Sequence, residues 1–260
     1  MKTLRRYSIG IAVFVVAISM GGVAHAAHSW GPPYHWARTA NPFTLKLADS
    51  VSSTWDPYLV EASSDWSQSS VLTTTIVTGG TGSAKSCRAT SGRVRVCNAT
   101  YGNNGWLGIA QIWITGVDHI TQGVVKLNDT YHNAPPYNTS AWRRLVMCQE
   151  VGHTFGLDHQ DEDSANTNLG TCMDYTSDPD GPLSNEHPDA HDFDQLDMIY
   201  THLDSSTTLS AGLPQGSQNR AADRSDWGEA IRRDGKGRAS VYERHLGGGE
   251  KIVTHVFWAD

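Results

Sequence analysis

Apolar and polar residues alternate through "PFTLKLADSV", which predicts a first β-strand, and the β-branched run "VLTTTIVTG" predicts a second that ends at Gly79 and Gly80. "RVRVCNATY" and "WLGIAQIWIT" predict two more strands, joined by a turn over Gly102, Asn103, Asn104 and Gly105, and "GVVKLND" a short fifth. Helical spacing interrupts them once. In "DPYLVEASSDWSQSSVL" the positions Leu59, Ala62, Trp66 and Ser69 or Ser70 share a face, and Pro57 suits a first helical turn. A second helix is predicted over 141–155, N-capped by Ser140, with Trp142, Val146, Gln149 and His153 on one stripe and Gly156 ending it in a left-handed conformation. The stretch 160–189 is acidic and turn-rich, after which "AHDFDQLDMIYTHL" restores helical spacing through Phe193, Leu196, Ile199 and Tyr200.

The two ends of the chain read differently. Lys2, Arg5 and Arg6 precede an uncharged apolar run from Ile9 to Met20, and Ala24-His25-Ala26 offers a small-x-small cleavage site, so residues 1–26 are expected to be a signal peptide. The run is short for a membrane span and stops at Gly21-Gly22. From 204 to 226 the composition turns to Ser, Thr, Gly and Gln, the signature of a linker. Residues 227–260 close the chain with two alternating runs around a glycine turn, a β-hairpin of unassigned role. The expected domain therefore covers 27–203.

Cleavage would remove Lys2, Arg5 and Arg6 from 20 basic residues, leaving 17 Lys/Arg against 27 Asp/Glu, a net of −10 with His neutral. That balance excludes a nucleic-acid partner, which needs a basic footprint. No later stretch is apolar enough for a membrane helix, so a secreted monomer is expected. All four cysteines lie in the exported part, which favours two disulfides over a thiolate metal site because no C-x-x-C spacing occurs. Three connectivities are open; Cys87 with Cys97, closing a short loop, and Cys148 with Cys172 is the preferred pairing.

The chemistry concentrates in "CQEVGHTFGLDH". Gln149 and His153 lie one helical turn apart and Glu150 and His153 three residues apart, so the three side chains are neighbours. If the helix stops at Gly156, the chain can return His159 to the same point, because glycine tolerates the bend. Two imidazoles and a third donor, Gln149, would leave a position for water on a zinc ion. Zinc lowers the pKa of such a water roughly to 7 from nearly 16, and Glu150 is placed to move its proton. A carboxamide oxygen is a weaker, uncharged donor than imidazole. His119, His132, His187 and His191 are other candidate donors and are assigned to surface or supporting positions instead.

"QEVGHTFGLDH" together with "CMDY" resembles the metzincin clan of zinc metalloproteases, its matrixin and serralysin branches in particular, with Gln149 where the H-E-x-x-H-x-x-G-x-x-H motif has its first histidine. The resemblance covers roughly residues 40–203. It implies a twisted, mixed five-stranded α/β sheet with an active-site helix and a C-terminal helix. It also implies Met173 as the methionine of the Met-turn, Tyr175 beside the metal, and Leu107, Gly108, Ile109 and Ala110 in "GWLGIAQI" as an edge strand that pairs with an extended peptide substrate. The implied activity is zinc-dependent endopeptidase action through Glu150. The substitution at 149 motivates the alternative of a pseudoprotease that binds peptides in the same cleft. No cysteine-switch propeptide is recognisable.

Two weaker signals complete the reading. "DEDSANTN" and "DPDG" could offer oxygens to Ca2+, but neither matches the twelve-residue loop pattern, so solvated turns are expected. Cleavage one residue later would expose His28 as the amino terminus, as in a copper-binding histidine brace. The preferred site leaves Ala27 first, and the rest of the chain does not resemble those polysaccharide monooxygenases.

Overall fold

The computed structural model describes residues 33–80, 82–210 and 226–260. The expected signal peptide and residues 211–225 of the expected linker lie outside the described residues.

The five strands read from the sequence form as β2 (Phe43–Ser50), β3 (Leu72–Thr78), β4 (Arg93–Ala99), β5 (Trp106–Thr115) and β6 (His119–Asn128). Strand β2 keeps the predicted alternation, with Phe43, Leu45 and Leu47 inward and Thr44 and Lys46 exposed. It runs parallel to β3 and β4, and β4 runs parallel to β6. Parallel neighbours need a crossover, and helix α1 (Asp56–Trp66) supplies the one between β2 and β3. Strand β5 is antiparallel to β6, so the architecture is mixed α/β. Two short elements had no clear sequence signal: β1 (His35–Trp36), parallel to β6, and α2 (Asp129–His132).

Helix α3 (Ser140–His153) lies against β5 and β6 with α1 beside it. Its N-cap is Thr139, whose hydroxyl accepts from Trp142 N–H, one residue ahead of the expected Ser140. Leu145, Val146 and Val151 of this helix enter one core with Leu45, Leu47, Val94, Val96, Ile112 and Trp66. Helix α4 (Ala190–Ile199) is held by a reciprocal capping box between Asp189 and Asp192, and is shorter than the sequence suggests. Both expected disulfides, Cys87–Cys97 and Cys148–Cys172, are formed.

The tail changes the picture most. It forms three strands rather than a detached hairpin: β7 (Glu229–Arg233), β8 (Ala239–Gly247) and β9 (Glu250–Trp258). Strand β9 pairs antiparallel with β5, so the sheet runs β3-β2-β4-β6-β5-β9-β8-β7. The physical reason is legible in β5, where "WLGIAQIWI" is buried along its whole length and needs cover on both faces and both edges. On the face away from α3, Trp106 and Ile109 pack with Trp227, Tyr242, Val256 and Trp258 of the tail. The first residues of the expected linker are also bound to the body: Asp204 N–H donates to Arg38 O, and Thr208 N–H to Ala37 O. Among the described residues no helix is long and apolar enough to cross a membrane.

Burial gives the fold a measurable pH dependence. His132 is fully buried against the edge of Trp55, and that burial lowers its pKa to about 4. An unfolded imidazole titrates near 6.5, so between those values the unfolded chain binds the extra proton. The stabilisation from keeping His132 neutral is therefore present above pH 6.5 and is lost on acidification towards pH 4. At about 1.4 kcal/mol per pH unit, the window is worth roughly 3 kcal/mol. Denaturant unfolding at pH 7 and pH 4 checks this: the stability of wild type relative to His132→Phe should fall by an amount of that order.

Candidate metal centre

The end of α3 builds the site. After His153 the chain makes tight turns, with Thr154, Phe155 and Gly156 N–H donating to Val151, Gly152 and His153 O. Gly156 then takes φ +97°, and a Cβ there would stand 2.0 Å from Tyr34 O. Both facts require glycine. The reversal returns His159 to His153, and their Nε2 atoms lie 3.1 Å apart.

The third imidazole is not among those considered from the sequence. His255 of β9 stands opposite Ala110 of β5, and its ring centroid lies 3.8 Å from that of His153 and 4.3 Å from that of His159. One nitrogen from each of His153, His159 and His255 falls within 4.8 Å of the others. The available signal was a histidine on the inward face of "KIVTHVFW", between Val253 and Phe257, where only apolar residues would be expected. No spacing rule links it to the helix.

Hydrogen bonds to the outer ring nitrogens orient the cluster. His153 Nδ1 is 2.9 Å from Leu157 O, and a carbonyl only accepts, so the proton sits on Nδ1 and Nε2 presents its lone pair. His159 Nδ1 faces Glu162 Oε1 at 3.3 Å. Burial, reinforced by the neighbouring imidazoles, holds His153 and His255 well below the ordinary imidazole range, so both are neutral.

Glu150 points into the same interior. Its carboxylate is fully buried, neither oxygen has a hydrogen-bond partner, and Oε2 lies 3.6 Å from His255 Nδ1. Burial raises its pKa well above the usual carboxylate range. Gly108 makes room for it: a Cβ at 108 would stand 2.6 Å from Glu150 Oε1. Tyr175 is buried too, with its ring 4.5 Å from His159 and its hydroxyl 3.4 Å from His255 Nε2. Met173 is fully buried, its sulfur 2.7 Å from where a Cβ on Gly152 would be.

Gln149 is the residue whose placement differs most from the expectation of a simple third ligand. Its amide nitrogen donates to Cys172 O at 2.7 Å, with Asp174 O at 3.4 Å, which ties it to the "CMDY" segment. Its Oε1 is buried with no hydrogen-bond partner. The other correction concerns Leu107, Gly108, Ile109 and Ala110. They do not form an edge, because β9 covers them, with Gly108 opposite Phe257 and Ile109 opposite Val256. Of the remaining histidines, His132 packs on Trp55, His187 pairs with Asp65, and His119 belongs to a separate cluster. The acidic loop spends its oxygens internally, Asp161 on the N–H of Asp163 and Asp163 on that of Ala165.

A divalent cation fits this donor set. Three imidazoles present converging nitrogens, and a nearby cation would lower the cost of burying the Glu150 carboxyl and the Gln149 amide oxygen, which have no hydrogen-bond partner among the described residues.

No family model matches the chain, and no curated protein does. Among solved structures it is similar to myroilysin (11% identity, TM-score 0.37, 64% of this chain and 96% of that one). It is equally similar to high choriolytic enzyme 1, a hatching-enzyme zinc-protease of the medaka fish Oryzias latipes (11% identity, TM-score 0.37, 66% of this chain and 96% of that one). A second myroilysin crystal structure aligns at TM-score 0.34. Likeness this loose assigns neither family nor function.

The reversal at Gly156 is testable. Gly156→Ala places a Cβ against Tyr34 O in a backbone region that costs about 1–2 kcal/mol for an L-residue even without a clash. Calorimetry is expected to show a lower Tm, and zinc titration a weaker centre, because His159 loses its position.

Proposed function

We propose that the chain is a secreted zinc-dependent endopeptidase whose cleft is closed by its own C-terminal strand. The observation that carries this reading is the β5–β9 register. Strand β9 runs antiparallel along the residues that would receive an extended substrate, and it sets His255 against His153 and His159. The tail thus lies as a peptide would lie.

His153 and His159 would hold the metal, joined by His255 in the closed form and by Gln149 Oε1 when the tail leaves. Zinc bound there supplies a Lewis acid that polarises a peptide carbonyl and acidifies water. Glu150 would accept the proton of that water and pass it to the leaving amine, a role suited by its place one helical turn before His153. The Tyr175 hydroxyl, now beside His255, would donate to the carbonyl oxygen. Substrates would be extended peptide or protein segments, and the enzyme a monomer.

Closure is firm. Ile252, Val253, Val256, Phe257 and Trp258 of β9 are buried, each at about 1.5–3 kcal/mol when fully so, so thermal opening would be rare. This favours a second reading, a peptidase fold that stays shut and does not turn over. Casein hydrolysis by the zinc-loaded full chain separates the two. Wild type should cleave slowly, and His255→Ala with Phe257→Asp should cleave at least tenfold faster. Adding Glu150→Gln should then reduce the rate by about 10²–10⁴-fold. A wild type that never cleaves beside opened variants that do would establish the shut reading, and folded, zinc-bound opened variants that never cleave would overturn the peptidase reading.

A further inference from the structure

Away from the Glu150 centre, a second set of donors converges where β1, β6 and the segment after α4 meet. We propose that His35, His119, His202 and Asp204 form a structural zinc site that ties the start of the described chain to the end of its helical body.

The separations carry the argument. His35, His119 and His202 Nε2 lie 3.4, 3.2 and 3.6 Å from the same atom, Asp204 Oδ1, and His35 Nε2 lies 3.2 Å from His202 Nε2. Zinc bound by nitrogen and oxygen at roughly 2.0–2.1 Å in a tetrahedron separates its ligand atoms by about 3.3–3.4 Å. These four of the six separations bracket that value, and the donors fall into two overlapping sets sharing His35, one with His202 and Asp204 and one with His119 and Asp118, whose Oδ1 lies 3.8 Å from His119 Nε2.

One proton per imidazole can link these atoms by hydrogen bonds, so the separations and the supporting contacts carry the assignment. His35 Nδ1 lies 2.7 Å from Pro33 O and must donate to it, so neutral His35 presents a lone pair at Nε2. That lone pair faces Asp204 Oδ1 and His202 Nε2: it accepts from His202 when that nitrogen carries the proton, and with the proton displaced it points at the place a shared cation would take. The alternative of several imidazolium ions around one oxygen places like charges together, with Arg38 adjacent.

The surroundings match those of a metal ligand. A carbonyl holding the outer nitrogen of a ligating histidine is the usual support. Arg38 occupies the other carboxylate oxygen, with its N–H and Nη1 donating to Asp204 Oδ2 at 3.1 and 3.0 Å, which leaves Oδ1 for the cluster. Its Nη2 donates to His202 O, so the segment bearing two of the donors is anchored. Four protein ligands would leave no open position, as expected of a structural rather than a catalytic zinc. The ion would join residues 169 positions apart, His35 and Asp204.

The test uses the full chain and zinc itself. The His119 and His202 side chains are 34% and 50% exposed, so their replacement leaves the core intact. Zinc per chain, by elemental mass spectrometry after dialysis against metal-free buffer, should fall by one in His119→Ala/His202→Ala. It should keep that ion in His153→Ala/His159→Ala. Competition with a chelator should show His202→Ala alone weakening the ion by more than the roughly 10–100-fold that loss of a supporting hydrogen bond costs. Zinc should raise the Tm of the His153→Ala/His159→Ala chain and leave that of the quadruple variant unmoved. If the Glu150 centre binds nothing, the counts become one and zero, and the inference still stands. Equal zinc in wild type and folded His119→Ala/His202→Ala overturns it, as does a His202→Ala chain with unchanged affinity.

Discussion

The antiparallel seam between β5 and β9 is the constraint on which the rest depends. Strand β5 is apolar on both faces and has a hydrogen-bonding edge beside the site. The tail satisfies that edge, covers the outer face with Trp227, Tyr242 and Trp258, and delivers His255 to the interior. A single pairing thus sets the sheet's extent, the closure of the cleft and the composition of the metal centre. Arg232 of β7 adds an ion pair to Asp158, next to His159, so the seam is fastened at the site itself.

Closure also explains the electrostatics. With β9 in place, Glu150, His153, Tyr175 and His255 are sealed from water, and burial is the first cause of each shifted pKa. A protein interior does not hold a carboxylate without hydrogen bonds cheaply. Neutral imidazoles and a protonated carboxyl lower that cost without metal, and a cation lowers it further. The position of Gln149 follows the same logic: its nitrogen is spent on Cys172 O, leaving its oxygen as the unused donor.

The two imidazole clusters are held in different ways. One is buried, depends on the β5–β9 pairing, and has the Glu150 carboxyl beside it. The other sits at the periphery, draws its donors from three separate segments, and orders them through Arg38 and the carbonyl of Pro33.

Much of this was legible beforehand. Alternation located β2, β-branched and apolar runs located β3 to β6, and helical spacing located α1, α3 and α4, because all of these depend on residues close in sequence. The reversal at Gly156 was readable for the same reason, since a left-handed residue three places past a helix end is a local requirement. The nearness of His153 and His159 was legible through that spacing, while the tie of Gln149 to Cys172 O was not. Strands β8 and β9 were visible as alternating runs, while β7 was not read and the partner of β9 was not legible: many registers satisfy an apolar alternation, and only the packed sheet selects one. His255, the covering of Leu107 to Ala110, and the meeting of His35 with His202 and Asp204 all arise from contacts between distant segments. Their geometry is decided by which edges and faces remain unsatisfied after the local elements form, and that is a property of the tertiary structure alone.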